Sequence, residues 1–139
     1  MRDPPAVDVS WSDFLLDASS LVAIFGARDL RQDQLTLHEV VVSRDGPEVR
    51  LRFDLPEFPT DPPQKWVAQG FNTVQVTLSL VGVRNLSLEG LSTEMVVMLE
   101  ISELDAGIQL NIIGDGIALT ASADAAVLGR VSAYMNSTD

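Results

Sequence analysis

The sequence predicts a mainly β, α+β fold: an antiparallel curled sheet or sandwich of about seven or eight strands behind one N-terminal helix. Three observations carry this prediction. Apolar residues alternate with polar ones from Gln34 almost to the end of the chain. Turns rich in Gly, Asp and Pro cut that alternation into short runs. A helical period occurs clearly only once, ahead of Gly26. The 139 residues suit a single domain, 1–139, large enough to bury roughly 68% of the surface its unfolded chain exposes. No internal repeat or low-complexity tract interrupts it.

In chain order, Ser10-Trp11-Ser12-Asp13 reads as a helix start, with Ser10 as N-cap and Asp13 answering it in the first turn. Trp11, Phe14, Leu15, Leu21 and Ile24 then follow at near-helical spacing as far as Gly26. Asp13 and Asp17 share a face of this helix and read as solvated charges favoured by its dipole. Leu35, Leu37 and Val41 open the first strand, Arg44-Asp45-Gly46-Pro47 turns it, and Val49, Leu51 and Phe53 return as the second arm of a hairpin with one wet face. Val74, Val76, Leu78 and Leu80 alternate most cleanly of all, and Leu86 and Leu88 follow a turn near Gly82. Met95 to Ile101 is apolar on both sides, which predicts a central strand covered on two faces. Leu104-Asp105-Ala106-Gly107 turns the chain into Ile108, Leu110 and Ile112, and Gly114-Asp115-Gly116 reverses it into Ile117, Leu119 and Ala121. Ala125 to Met135 fits a strand through Val127, Val131 and Ala133, or a helix through Leu128, Val131 and Met135; the strand is the preferred reading.

Between the alternating segments lies Leu55 to Trp66, which holds four of the seven prolines. Proline fixes φ, lacks an N–H and biases the preceding residue towards extended geometry, so a stiff extended connector is expected here. Phe58 and Trp66 are costly to leave in water, so both rings should be tucked against the sheet.

Composition excludes more chemistry than it suggests. Without cysteine, disulfides, thiolate catalysis and cysteine-ligated metals are ruled out. No apolar run is long enough to span a membrane and no secretory core follows the N-terminus, so a cytoplasmic location is expected. Twenty acids against nine bases give a net charge of −11, which disfavours binding to nucleic acid or anionic membrane and favours a basic partner. The imbalance is concentrated. Between Arg84 and Arg130 there is no Lys or Arg, while Glu89, Glu94, Glu100, Glu103, Asp105, Asp115 and Asp124 all fall there. His38 is the single histidine; it shares strand parity with Thr36 and reads as a surface or structural residue. No Gly-x-Ser-x-Gly elbow, phosphate-binding glycine loop or calcium loop occurs, so no enzyme activity, cofactor or metal is expected. Carboxylate pairs such as Glu100 with Glu103, or Asp54 with Glu57, would need a cleft of defined width to act in hydrolysis.

Phe53-Asp54-Leu55-Pro56, Phe58-Pro59, Pro62-Pro63 and Lys65-Trp66, then Asn72-Thr73-Val74-Gln75-Val76 and the strand pair to Leu88, resemble the bacterial immunity protein 50 family. Trp11 and Ile24-Phe25-Gly26 are similar to that family's N-terminal part. The resemblance implies a cytoplasmic antidote of a polymorphic toxin system, which binds and neutralises a cognate toxin. A basic, nuclease-like toxin fits the charge, since complementary fields speed encounter and cover the surface that would hold nucleic acid. The expected contact residues are Glu89, Glu94, Glu100, Glu103 and Asp105, with Asp54, Glu57 and Asp61 beside the connector. The competing readings are a small-molecule-binding sheet protein, with Trp66, Phe71 and His38 lining a pocket, and a structural or assembly role.

Overall fold

The computed structural model describes residues 11–26 and 30–137. Eight antiparallel strands form one curled, unclosed sheet: β1 (Leu35–Ser43), β2 (Glu48–Asp54), β3 (Thr73–Val81), β4 (Asn85–Glu89), β5 (Val96–Glu103), β6 (Ile108–Gly114), β7 (Ile117–Ala123) and β8 (Ala125–Tyr134). Their spatial order is β4-β7-β6-β5-β1-β2-β3-β8. The predicted fold class is therefore what forms, and the ambiguous last segment is a strand along β3.

Alternation decides which side of each strand is covered. Val49, Leu51 and Phe53 of β2, and Val74, Val76, Leu78 and Leu80 of β3, are almost wholly buried on the inner face. Leu99, Leu110, Ile112 and Leu119 meet them from the other half of the sheet, within one continuous core. Each such side chain contributes roughly 1.5–3 kcal/mol of burial. Gly116, at φ 87, supplies the left-handed residue of the tight β6–β7 reversal, a conformation that residues with a Cβ rarely adopt.

Two four-stranded halves, β4-β7-β6-β5 and β1-β2-β3-β8, meet at a narrow seam. Only Leu35↔Val97 and Thr36↔Val96 pair across it, extended by the Leu37 N–H donating to the Met95 carbonyl at 2.8 Å. The halves also exchange strands. β4 follows β3 in sequence but pairs with β7, while β8 follows β7 but pairs with β3.

Four sequence expectations need correction. The leading helix is broken: a 3-10 turn at Trp11–Phe14 and a short α1 at Ser19–Phe25 replace it. Leu15 bridges to Ala126, and the Leu16 N–H donates to the Ala126 carbonyl at 3.1 Å, so pairing with β8 overrides helix propensity there. The Asp17 carboxylate then accepts from the Ser19 N–H at 3.0 Å, a bond that holds Asp17 below the ordinary carboxylate range. Ser10, the expected N-cap, lies outside the described residues.

The connector is extended only as far as Pro63, beyond which α2 (Gln64–Gln69) forms and ends on the left-handed Gly70. Proline ahead of a first turn and glycine just past the last is the ordinary helix punctuation, and it outweighs the extended bias of the prolines behind it. Trp66 is buried on α2, with Phe58 partly buried 6.1 Å from it between ring centroids, so both rings do pack as expected. In β1 the register shifts between Leu37 and Glu39, making His38 a bulge residue. Val40, facing Leu51, therefore takes the inward place that simple alternation assigned to Val41. Finally, β5 is central in the strand order, but Val96 and Glu100 on its outer side are exposed, so it is covered on one face only.

Candidate functional site

The bulge in β1 brings the chain's single histidine beside the end of β2. Were the upper register, with Ser43 facing Glu48, continued without a break, Asp54 would lie opposite Leu37; the extra residue places it opposite Thr36 instead. On the other side Asp54 pairs with Gln75 of β3, and Thr73 pairs with Tyr134 of β8. Three polar side chains thus converge on Asp54 from three strands. Gln75 Nε2 donates to Oδ1 at 2.9 Å, His38 Nε2 lies 2.8 Å from Oδ2, and the Tyr134 hydroxyl donates to the same Oδ2. Arg52 closes the surround, bonding Glu39 at 3.2 Å and Gln75 at 3.4 Å.

Asp54 is 5% exposed, and among the described residues no other polar or charged residue is buried. Its place is tenable because donors meet both of its oxygens; a buried carboxyl left unmatched would cost several kcal/mol. Since Asp54 accepts, the imidazole presents Nε2–H to it, and a neutral ring then keeps Nδ1 as an acceptor. Burial pushes the Tyr134 phenol up to about 12, helped by its hydrogen bond to Asp54 and by that group's charge.

Tyr134 is the chain's single tyrosine, so its ionisation can be followed directly in the ultraviolet. Absorbance at 295 nm should titrate near 12 in the folded protein, against roughly 10 in denaturant. A folded value above the unfolded one means stabilisation that is complete below pH 10 and lost as pH rises through about 12. Tyr134→Phe should flatten that alkaline loss; a folded-state midpoint at 10 would rule out the buried hydrogen bond.

Above Asp54 opens a cleft of about 330 Å³, lined by Thr36, His38, Glu94, Met95, Val96 and Tyr134 among others. It straddles the seam, with β1 and β2 on one side and the β4–β5 connection on the other. No Lys or Arg lines it. The Glu94 carboxylate is exposed and has no partner among the described residues. Neither Trp66 nor Phe71 reaches this cleft, so the aromatic pocket weighed from the sequence does not assemble around His38. Among the described residues no group of three His, Asp or Glu is placed to hold a metal ion, and no helix is long and apolar enough to cross a membrane.

The eight acids singled out in the sequence occupy several places. Glu89 and Glu100 project from the outer face of the β4-β7-β6-β5 half, linked through Ala118, Ile113 and Met98 in the ladders. Glu103 and Asp105 sit at the β5–β6 turn, and Glu94 at the opposite end of β5. All five are exposed. Asp61 is exposed on the connector, whereas Glu57 is half-buried and accepts from the Arg31 N–H at 2.7 Å. Asp54 lies at the floor of the cleft. The network of Asp54 with His38, Gln75 and Tyr134 is what sequence reasoning missed. Its signal was present, since His38, Asp54 and Gln75 all stand on the polar parity of neighbouring strands, but the bulge that aligns them leaves no mark in the alternation.

No curated protein and no solved structure matches the chain. A protein family does: the match runs from residue 17 to 134, through every strand, the proline connector and Tyr134, and the chain belongs to the immunity protein 50 family.

Proposed function

We propose that this protein neutralises a cognate toxin in the cytoplasm by stoichiometric binding, without catalysis, and that the acid-rich half of its sheet forms the contact surface. The observation carrying this reading is the one-sided charge of that half. Every ionisable residue between Arg84 and Arg130 is an acid, and all seven are exposed. Asp124 is tied to Arg84 across the neighbouring turns; the other six carry no ion pair among the described residues. A surface of one sign attracts a basic protein over a distance comparable to the Debye length and raises the encounter rate by roughly 10–10³. Glu89, Glu94, Glu100, Glu103 and Asp105 supply that field, Glu57 and Asp61 extend it along the connector, and Asp54 supports it from beneath His38. The partner that fits is a basic toxin domain of the nuclease kind, whose own positive surface would otherwise hold nucleic acid.

Co-expression with the toxin domain encoded beside this gene tests the first claim: cells should survive and the pair should co-purify. The triple variant Glu100→Lys, Glu103→Lys, Asp105→Lys tests the second. Its association rate at low salt should fall about tenfold or more, with little change in thermal stability, because exposed charges contribute little to folding. An unchanged rate would move the contact surface elsewhere.

A further inference from the structure

The cleft above Asp54 offers a particular combination of groups. Asp54 is committed to Gln75, His38 and Tyr134, so it fixes the ring of His38 rather than meeting a ligand itself. The ring is 35% exposed, lines the cleft and keeps Nδ1 as an acceptor while neutral. Glu94 adds an unpartnered carboxylate from across the seam. Leu37, Met95 and Val96 supply an apolar wall, of which Val96, 49% exposed, is the accessible part.

We propose that this cleft is the socket for an arginine side chain projecting from the toxin, with the Glu94 carboxylate and His38 Nδ1 accepting from its guanidinium and the apolar wall covering its methylene stem. The inference rests on the toxin-binding reading and names the group recognised. Arginine fits better than lysine for two reasons. Its planar fork spreads five donors over separated acceptors, and its weaker hydration lowers the cost of entering a half-apolar cleft. The volume, about 330 Å³, is ample for one long side chain. Asp54 and Tyr134 act here as positioning residues, holding the imidazole in the tautomer that accepts.

The test uses N-acetyl-arginine amide as probe, with N-acetyl-citrulline amide as its uncharged isostere, titrated into the ¹⁵N-labelled protein. Saturable shifts are expected at the amides of Thr36, His38, Glu94 and Val96 with the arginine probe, weakened about tenfold in Glu94→Gln and absent with citrulline. No shifts at these amides, equal shifts with both probes, or shifts indifferent to Glu94→Gln would overturn the socket. In the toxin complex, Glu94→Gln and His38→Gln should each raise Kd about tenfold. Unchanged Kd values for both would remove the socket and leave toxin binding standing. A wild-type protein that binds no toxin would remove the function proposed above, and the probe titration would still decide the socket. Glu94 lies on an exposed connection, so its variant should fold even if that of His38 does not.

Discussion

Replacing Trp11 by alanine should lower the unfolding free energy by about 3–5 kcal/mol, the range for deleting a large aromatic from a packed core. The indole is 1% exposed, meets Phe53 edge-on at 5.5 Å between ring centroids, and donates from Nε1 to the Arg31 carbonyl at 3.1 Å. The substitution therefore opens a cavity over β2, removes an aromatic pair and leaves a carbonyl without its donor. Against a total stability of roughly 5–15 kcal/mol this is a large fraction. Urea unfolding followed by far-ultraviolet circular dichroism measures it without depending on the lost fluorophore. Leu16→Ala is the matched control, since Leu16 is 70% exposed and should change stability by under about 0.5 kcal/mol. A similarly small effect at Trp11 would mean that the N-terminal segment lies over the sheet without belonging to its core.

The second large effect is expected at Asp54. Asp54→Ala empties a buried position and leaves the part-buried Gln75 amide, His38 ring and Tyr134 hydroxyl without their acceptor, and should cost about 3 kcal/mol. A double-mutant cycle separates the network from simple packing. If the Tyr134 hydroxyl bonds Asp54, then Asp54→Ala and Tyr134→Phe together should cost less than the sum of the two alone, by 1 kcal/mol or more. Additive effects would deny the bond. Because Asp54 orders His38, its removal should also weaken the arginine probe in the cleft, whereas Asp61→Ala on the exposed connector should leave stability nearly unchanged.

The sheet was legible because period-two alternation survives in most of the strands that cover the core, most fully from Val74 to Leu80, and because Gly46, Gly107 and Gly116 sit where the chain turns. What stayed illegible depended on contacts between distant residues. Nothing near Leu15 announces that it will bridge to Ala126, so an amphipathic helix was the natural local reading and tertiary pairing overrode it. The prolines masked α2, although Gly70 stands where a helix C-terminus wants glycine. In the cleft, the sequence placed His38 beside Thr36 and put Asp54 among the acids of interest, but that they would meet is a property of one extra residue in β1. The acids were legible as a composition and not as a surface: Glu89 and Glu100 share a face, Glu103 and Asp105 take one end, and Glu94 takes the other.

The exchange of strands between the two halves bears on how the chain reaches its structure. In the meanders β1-β2-β3 and β5-β6-β7, the pairs β1-β2, β5-β6 and β6-β7 are joined by short turns and can close early, since hairpins form in microseconds, whereas β2 and β3 are separated by the proline connector and α2. Neither meander is finished by its own neighbour in sequence. β8 must travel back to β3, joining residues as far apart as Thr73 and Tyr134, and β4 must wait for β7 before its single partner exists. Such closures carry the loop entropy that slows non-local sheets into the millisecond-to-second range. The pairing of β8 with β3 also brings Tyr134 onto Asp54. The floor of the cleft, assembled from β1, β2, β3 and β8, is therefore complete only once β8 has paired with β3.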